Sequence, residues 1–306
     1  MIEEQGKRYA LVLFAISIVI IALFLSYVES VETNVRGAFL RGSSANAVSS
    51  GKAVDAIVLG IVQGVTEWLP ISSSGHLVIL QRLSGIYGSV AFDVMLHLGT
   101  LLSVIYFLRK DLVDIIRAVL GFEFSSRNGK LAFYTILGTL PVAVLGMLWK
   151  PFFESLFTNL TIVGITLIIN GVILYFTRYS KPHTEINLTA SLFIGAAQAV
   201  SIIPGISRSG ATISMALFRG IEKESAYKFS FLLSIVAILG ASLVELGEIA
   251  FWPETLEAVI LGVVTSSIVG YIALKIVSRY VLTDGFYKFA YYCWVAGFST
   301  VILSLL

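Results

Sequence analysis

The chain alternates apolar runs about twenty residues long with short polar loops. This spacing constrains the fold most, because roughly 20 apolar residues let an α-helix cross a hydrocarbon core of about 30 Å. Such runs lie at about 91–108, 131–149, 160–178, 226–248, 254–277 and 286–306, with a further one at 9–27. The composition agrees, since 57% of the 306 residues are hydrophobic and only 13% are charged, against roughly a quarter charged in soluble domains. Backbone amides in lipid must be satisfied within their own segment, so the expected fold class is an all-α, polytopic membrane protein.

Lys7 and Arg8 precede the first run as they would in a secretory signal. The run exceeds the roughly 7–15 residues of a signal core, and the cleavage-like triplet Ala45-Asn46-Ala47 lies far beyond its end. It therefore reads as an uncleaved N-terminal transmembrane helix over 1–29. A polar, small-residue linker over 30–52 follows, then a membrane-embedded domain over 53–306. A formal charge of +2, with the basic residues spread among loops, excludes a nucleic-acid partner. The single cysteine, Cys293, sits inside an apolar run and reads as lipid-facing or packing filler; alone it excludes an internal disulfide and a cysteine-held metal cluster.

Two stretches, 54–86 and 188–220, are each broken by a proline and a Ser/Gly cluster, so that neither half spans by itself. Their pattern predicts re-entrant helical hairpins, which a membrane tolerates where irregular backbone lines a protein cavity. They are also copies of one another. A shift of 135 positions lays Gly60, Gln63, Val65, Ile71, Ser72, Ser74 and Gly75 on Gly195, Gln198, Val200, Ile206, Ser207, Ser209 and Gly210. Broken segments at matching places in two halves point to a binding site at the repeat interface near the midplane.

Three crossings separate the hairpins, which makes the repeat inverted. The basic residues Arg109, Lys110, Arg117, Arg127, Lys130, Arg178, Lys181, Arg219, Lys223 and Arg279 gather on one side. By the positive-inside rule that side is cytoplasmic, in agreement with Lys7 and Arg8. The N-terminus is then cytoplasmic and the hairpin at 54–86 opens to the extracytoplasmic side. Arg36, Arg41 and Lys52 of the linker run against this orientation, diluted by Glu29, Glu32 and Asp55.

An ionised side chain at membrane depth costs about 3 kcal/mol on insertion scales, so those inside the hairpins are candidates for function. Gln63 and Glu67 stand four apart on one helix face and offer a carboxylate and an amide oxygen, a set that suits Mg2+ or Ca2+; Glu67 as a cap for the serine cluster is the competing reading. Ser72, Ser73, Ser74, Gly75 and His76 follow at the break, where the N–H groups of a new half-helix make an anion site. One turn brings His76 toward Ser73, as in a base-activated nucleophile; a serine cap beside a satisfied histidine is the alternative. In the second copy Arg208 replaces Ser73, between Ser207 and Ser209, and its planar fork fits a phosphate. Ile202 and Ala211 replace Glu67 and His76, so the two copies are chemically unequal. Asp93 and His97 share a helix face just beyond the first hairpin, as supporting partners of the site or as a merely structural pair.

The segment from Gln63 to His76, a Glu/Gln-x-x-x-Glu run leading into Pro-x-Ser-Ser-x-Gly-His, and the Pro-Gly-x-Ser-Arg-Ser-x-x-Thr segment from Pro204 to Thr212 resemble the signatures of the BacA-type undecaprenyl-diphosphate phosphatases. The resemblance spans about 53–306. It implies two inverted repeats whose re-entrant helices meet at midplane, and hydrolysis of a polyprenyl diphosphate to the monophosphate. It marks Glu67, Ser73, His76 and Arg208 as catalytic, and Ser72, Ser74, Gly75, Ser207, Ser209 and Thr212 as substrate-binding. Glu67 and Gln63 would hold a divalent cation. Gln63 stands where many members carry Glu, which leaves one ligand charge fewer, and the N-terminal helix is additional to the family pattern. The expected partners are the polyprenyl diphosphate and the bilayer, with homo-oligomer formation left open. The rival class is an inverted-repeat transporter or flippase for an anionic lipid.

Overall fold

A computed structural model describes residues 49–84, 88–248 and 255–305 of the protein. The expected N-terminal helix and nearly all of the linker lie outside the described residues. Helices start where a short polar side chain can accept from a free backbone N–H. Ser89 caps α3 (Val90–Phe107), Ser126 caps α5 (Arg127–Leu148) and Asn159 caps α7 (Leu160–Phe176). Asn187 caps α8 (Leu188–Val200) and Thr255 caps α11 (Leu256–Leu282). The remaining helices are α1 (Ser49–Trp68), α2 (Ser73–Ser84), α4 (Arg109–Leu120), α6 (Lys150–Leu156), α9 (Arg208–Phe218), α10 (Lys223–Glu248) and α12 (Phe289–Ser304).

Among the described residues there is no strand, and five helices are long and apolar enough to cross a membrane: α3, α5, α7 with the 3-10 turn that follows it, α10 and α11. The protein is an all-α multi-pass membrane protein. The sixth expected crossing, 286–306, is a 3-10 turn at Phe286–Lys288 followed by the 16 residues of α12. At 1.5 Å per residue α12 is about 24 Å long, and it packs along α7. The basic stretch after α3, read as loop, folds into α4, which turns Val113 and Ala118 inward and keeps Arg109, Lys110 and Asp114 in solvent.

The two stretches expected to be hairpins are broken helix pairs, α1 with α2 and α8 with α9, which fits that expectation, and the 135-residue offset places the start of α2 at Ser73 on the start of α9 at Arg208. The first helix of each pair packs on the crossing helix that belongs to the other copy, α1 on α11 and α8 on α5. Small residues allow the close approach, as usual between helices in lipid. A Cβ on Gly60 would stand 2.8 Å from the carbonyl oxygen of Gly262, and one on Gly195 would stand 2.2 Å from that of Gly138. This reciprocal packing fits an inverted repeat. The core runs beneath the junction of the hairpins, where fully buried Trp68 meets Phe231 edge to face at 5.5 Å between ring centres.

Candidate active site

Each hairpin breaks because its chain reaches a proline, Pro70 or Pro204, and cannot continue as helix. A serine then restarts it. The Ser72 hydroxyl accepts from the backbone N–H of Gly75 at 3.2 Å, and the Ser207 hydroxyl from that of Gly210 at 3.1 Å. In both copies the capping hydroxyl lies 3.2 Å from the hydroxyl of the serine two positions on, Ser74 or Ser209. Ser72 takes a φ of 71°, a left-handed conformation uncommon for serine and characteristic of strained turns at functional sites.

Asn170 of α7 holds the two breaks together, its side-chain N–H donating to the Pro70 carbonyl at 2.9 Å and its oxygen accepting from the Ser207 N–H at 3.1 Å. The Gly205 N–H adds a bond to the Ser72 hydroxyl at 3.2 Å. Gly205 has a φ of +96°, and a Cβ there would fall 2.0 Å from Thr166 Oγ1, so glycine is required both by conformation and by space. Cys293 is fully buried at this junction, its thiol 3.6 Å from the Pro70 carbonyl and 3.4 Å from Asn170 Nδ2. It is packing, not lipid-facing.

Glu67, at the end of α1, is the hub. Its Oε1 pairs with the guanidinium of Arg208 from the other hairpin. Its Oε2 accepts from the Ser73 hydroxyl at 2.7 Å and from Gln63 Nε2 at 3.0 Å, and His97 Nε2 of α3 approaches to 3.7 Å. The carboxylate and guanidinium side chains are only 6% and 15% exposed. Arg208 lies over the Trp68 ring at 5.4 Å, and its Nη1 is buried without a hydrogen-bond partner among the described residues. A buried, charged donor left unfilled is costly unless a ligand completes it.

The structure places the remaining predicted residues unequally. Ser73 is turned to Glu67 and not to His76, so the expected serine–histidine pairing is replaced by serine–carboxylate. The His76 ring bonds the Ser72 carbonyl through Nδ1 at 2.7 Å and the Tyr292 hydroxyl through Nε2 at 2.7 Å, with the two rings stacked at 5.6 Å. The reason is geometric: the helix that begins at Ser73 turns the imidazole back onto its own cap. Ser74 is partly exposed beside the Ser72 hydroxyl, and Gly75 leaves room for the Gly205 backbone, 3.3 Å from where a Cβ would be. Ser207 and Ser209 are buried as cap and as bridge to the Leu69 carbonyl at 3.4 Å. Thr212 points away from the cluster, bonding the Arg208 carbonyl at 2.7 Å and the Ser230 hydroxyl at 2.5 Å, and so supports α9 against α10.

Sequence reasoning missed Asn170 and Tyr292. An asparagine in the apolar run of α7 was the available signal for the first; Tyr292 resembles any interfacial tyrosine. Of the pair Asp93 and His97, His97 reaches the cluster while its Nδ1 bonds the Asp93 carbonyl at 2.8 Å.

Among the described residues no group of three His, Cys, Asp or Glu could hold a metal alone. The donors do fit a hard divalent cation that draws most of its oxygens from water and a bound phosphate. Glu67 offers one carboxylate, and Gln63 Oε1 is a buried amide oxygen without a hydrogen-bond partner among the described residues.

Two half-helix N-termini, a guanidinium with a buried donor and a serine hydroxyl held on a carboxylate are a set of groups that can take a phosphoryl-type anion. The chain belongs to the family described as bacitracin resistance protein BacA, which it matches over residues 56–299. It is 43% identical over 263 residues to an undecaprenyl-diphosphatase of Korarchaeum cryptofilum, covering 82% of this chain and 98% of that protein. Similar proteins of the same name occur in Methanobrevibacter smithii, 40% identical over 271 residues, and Desulforapulum autotrophicum, 41% identical over 266 residues. These alignments cover 82% and 80% of this chain, and 98% and 96% of the relatives.

Proposed function

We infer that this chain is a phosphatase that hydrolyses undecaprenyl diphosphate to the monophosphate and inorganic phosphate, recycling the lipid carrier used in cell-envelope glycan synthesis. The observation that carries the reading is the contact of Ser73 with Glu67, closed by Arg208 from the opposite hairpin. A nucleophile and a base within hydrogen-bond reach, beside a fixed cation, is the equipment of phosphoryl transfer.

The Ser73 oxygen attacks the terminal phosphorus while Glu67 Oε2 takes its proton. Arg208 turns its fork to the equatorial oxygens, and the free N–H groups of α2 and α9 face the same charge. The leaving group is the lipid monophosphate, stable as an anion, and water then hydrolyses the phosphoserine. A variant keeps Ser73 as an orienting donor and lets water attack directly. His76, held by Tyr292, lines the same break and orients the cap. When bound, Mg2+ or Ca2+ neutralises diphosphate oxygens, and Glu67 and Gln63 are the residues that would hold it.

The catalytic hairpin opens to the extracytoplasmic side, an orientation supported by the loop charges. The isoprenoid tail then stays in the bilayer while the head group reaches the junction of the two breaks. A transporter or flippase is not favoured, because a symmetric transport site has no need of Glu67 and His76 in one copy against Ile202 and Ala211 in the other. The deciding experiment is phosphate release from undecaprenyl diphosphate by purified protein, with and without a chelator. No release in the presence of Mg2+ or Ca2+ would defeat the reading, and unchanged release after chelation would remove the cation from it.

A further inference from the structure

A second concave site lies away from the catalytic cluster, where α7 and α9 end. Its cavity of about 530 Å³ is lined by Phe176, Tyr179, Lys181, His183, Phe218 and Arg219, among others, and by no Asp or Glu. That volume is within the range of about 300–1,000 Å³ usual for small-molecule sites.

The cavity is built, not left over. Gly220, with a φ of +77°, turns the chain after α9, and its carbonyl accepts from the N–H groups of both His183 and Thr184, at 2.7 and 2.9 Å. Thr184 then bridges Ile221, and its carbonyl accepts from the Glu222 N–H at 2.9 Å. The loop that carries Lys181 and His183 is thereby pinned to the end of α9, and His183 Nδ1 is tied to the Lys181 carbonyl at 2.5 Å. The end of α9 is itself satisfied, since Arg219, Gly220 and Ile221 donate back to its last carbonyls. Its C-terminal dipole is therefore not what occupies the cations.

The cations of this region are used unequally. Arg178, just outside the cavity, is enclosed by the rings of Tyr175, Tyr179 and Tyr287 at 5.1, 5.2 and 5.5 Å. Lys181 and Arg219 are exposed and have no carboxylate partner among the described residues. Arg219 lies over the Phe193 ring at 4.7 Å, which holds its guanidinium at the rim. Around the rim Phe176, Tyr179, Phe193 and Phe218 are 54%, 63%, 47% and 44% exposed. The ligand that meets both features carries negative charge on its head and an apolar body beside it. A free phosphate would use the cations but leave the aromatic rim unmatched.

We propose that this groove binds the head group of an anionic bilayer phospholipid, with Lys181 and Arg219 on its phosphate and the first acyl carbons along Phe176 and Phe218. Basic pockets between membrane helices on the positively charged side recognise such head groups in this way. The site is separate from the diphosphate cluster and is independent of the hydrolase reading.

The test uses the purified full-length protein in detergent, with phosphatidylglycerol or phosphatidylcholine added and bound lipid read by native mass spectrometry. The parent is expected to retain phosphatidylglycerol in preference to phosphatidylcholine. A Lys181→Gln/Arg219→Gln variant is expected to bind it at least about tenfold more weakly, the loss of roughly 1.4 kcal/mol. Its melting temperature and turnover should be unchanged, because neither residue touches the catalytic cluster. An Arg109→Gln/Lys110→Gln variant, with its altered charges outside the groove, should bind as the parent does. Equal retention of the two lipids, equal binding by the groove variant, or equal loss in both charge variants would overturn the proposal. Full displacement by millimolar inorganic phosphate would show a free-anion site and overturn it as well.

Discussion

Glu67 and Arg208 lie 141 positions apart and meet as a largely buried ion pair, each presented by the broken end of a different hairpin. Among the described residues neither charge has another carboxylate or guanidinium as a partner. The pair ties the two breaks together, and in the mechanism proposed above a diphosphate opens it, because the substrate competes with Glu67 for the same guanidinium.

Arg208→Lys should lose most activity although the charge is kept. An ammonium cannot offer the planar pair of donors, and loss of one well-placed donor typically costs about 3 kcal/mol, a hundredfold or more in rate. Steady-state phosphate release checks this; near-parental kcat in a folded Arg208→Lys protein would end the clamp role.

Glu67→Ala should unfold at a clearly lower temperature, because it strands a buried guanidinium. Breaking one side of a buried pair costs about 3–5 kcal/mol, whereas removing both sides costs less than the sum. Thermal unfolding of Glu67→Ala, Arg208→Ala and the double variant in one detergent gives the coupling. Additive losses would show that the two side chains act independently.

Ser73→Ala separates the two chemical routes. If Ser73 is the nucleophile, activity collapses, and acid quenching of the parent with labelled substrate traps a phosphoserine. Turnover above a few per cent in Ser73→Ala, with no trapped adduct in the parent, assigns the attack to water.

Tyr292→Phe removes one hydrogen bond from His76 Nε2 and leaves the ring stack in place. A neutral hydrogen bond is worth about 1 kcal/mol net, so a severalfold drop in kcat with little change in melting temperature is expected. His76→Ala should be far more severe if the imidazole itself touches the substrate, since acid–base help contributes about 10²–10⁴-fold. Equal effects of the two changes would show that Tyr292 is the group that matters.

The orientation can be read by labelling. Cys293 is buried and does not interfere, and Val90, 66% exposed at the start of α3, accepts a cysteine. Val90→Cys should react with a membrane-impermeant maleimide added outside intact cells, and labelling only after lysis or in inverted vesicles would turn the topology over.

The sequence alone determined the solvent and the local breaks. Apolar run length and helix rise depend only on neighbours in the chain, so α3, α5, α7, α10 and α11 stand close to where the runs lie. Proline and serine stop and restart a helix by local chemistry, so α2 begins at Ser73 and α9 at Arg208. Glu67 and Arg208 stood out as candidates for a related reason: a charge inside an apolar stretch is costly wherever the chain goes. Only the tertiary structure decided which groups face one another. Ser73 bonds Glu67 rather than His76, His97 joins the cluster from α3, and Asn170 and Tyr292 arrive from helices 100 and 216 positions away from their partners Pro70 and His76. Thr212, inside a motif that resembles a phosphate site, turns instead to Ser230. Such pairings depend on how helices pack across the bilayer, and hydropathy along the chain carries no record of which face of one helix meets which face of another.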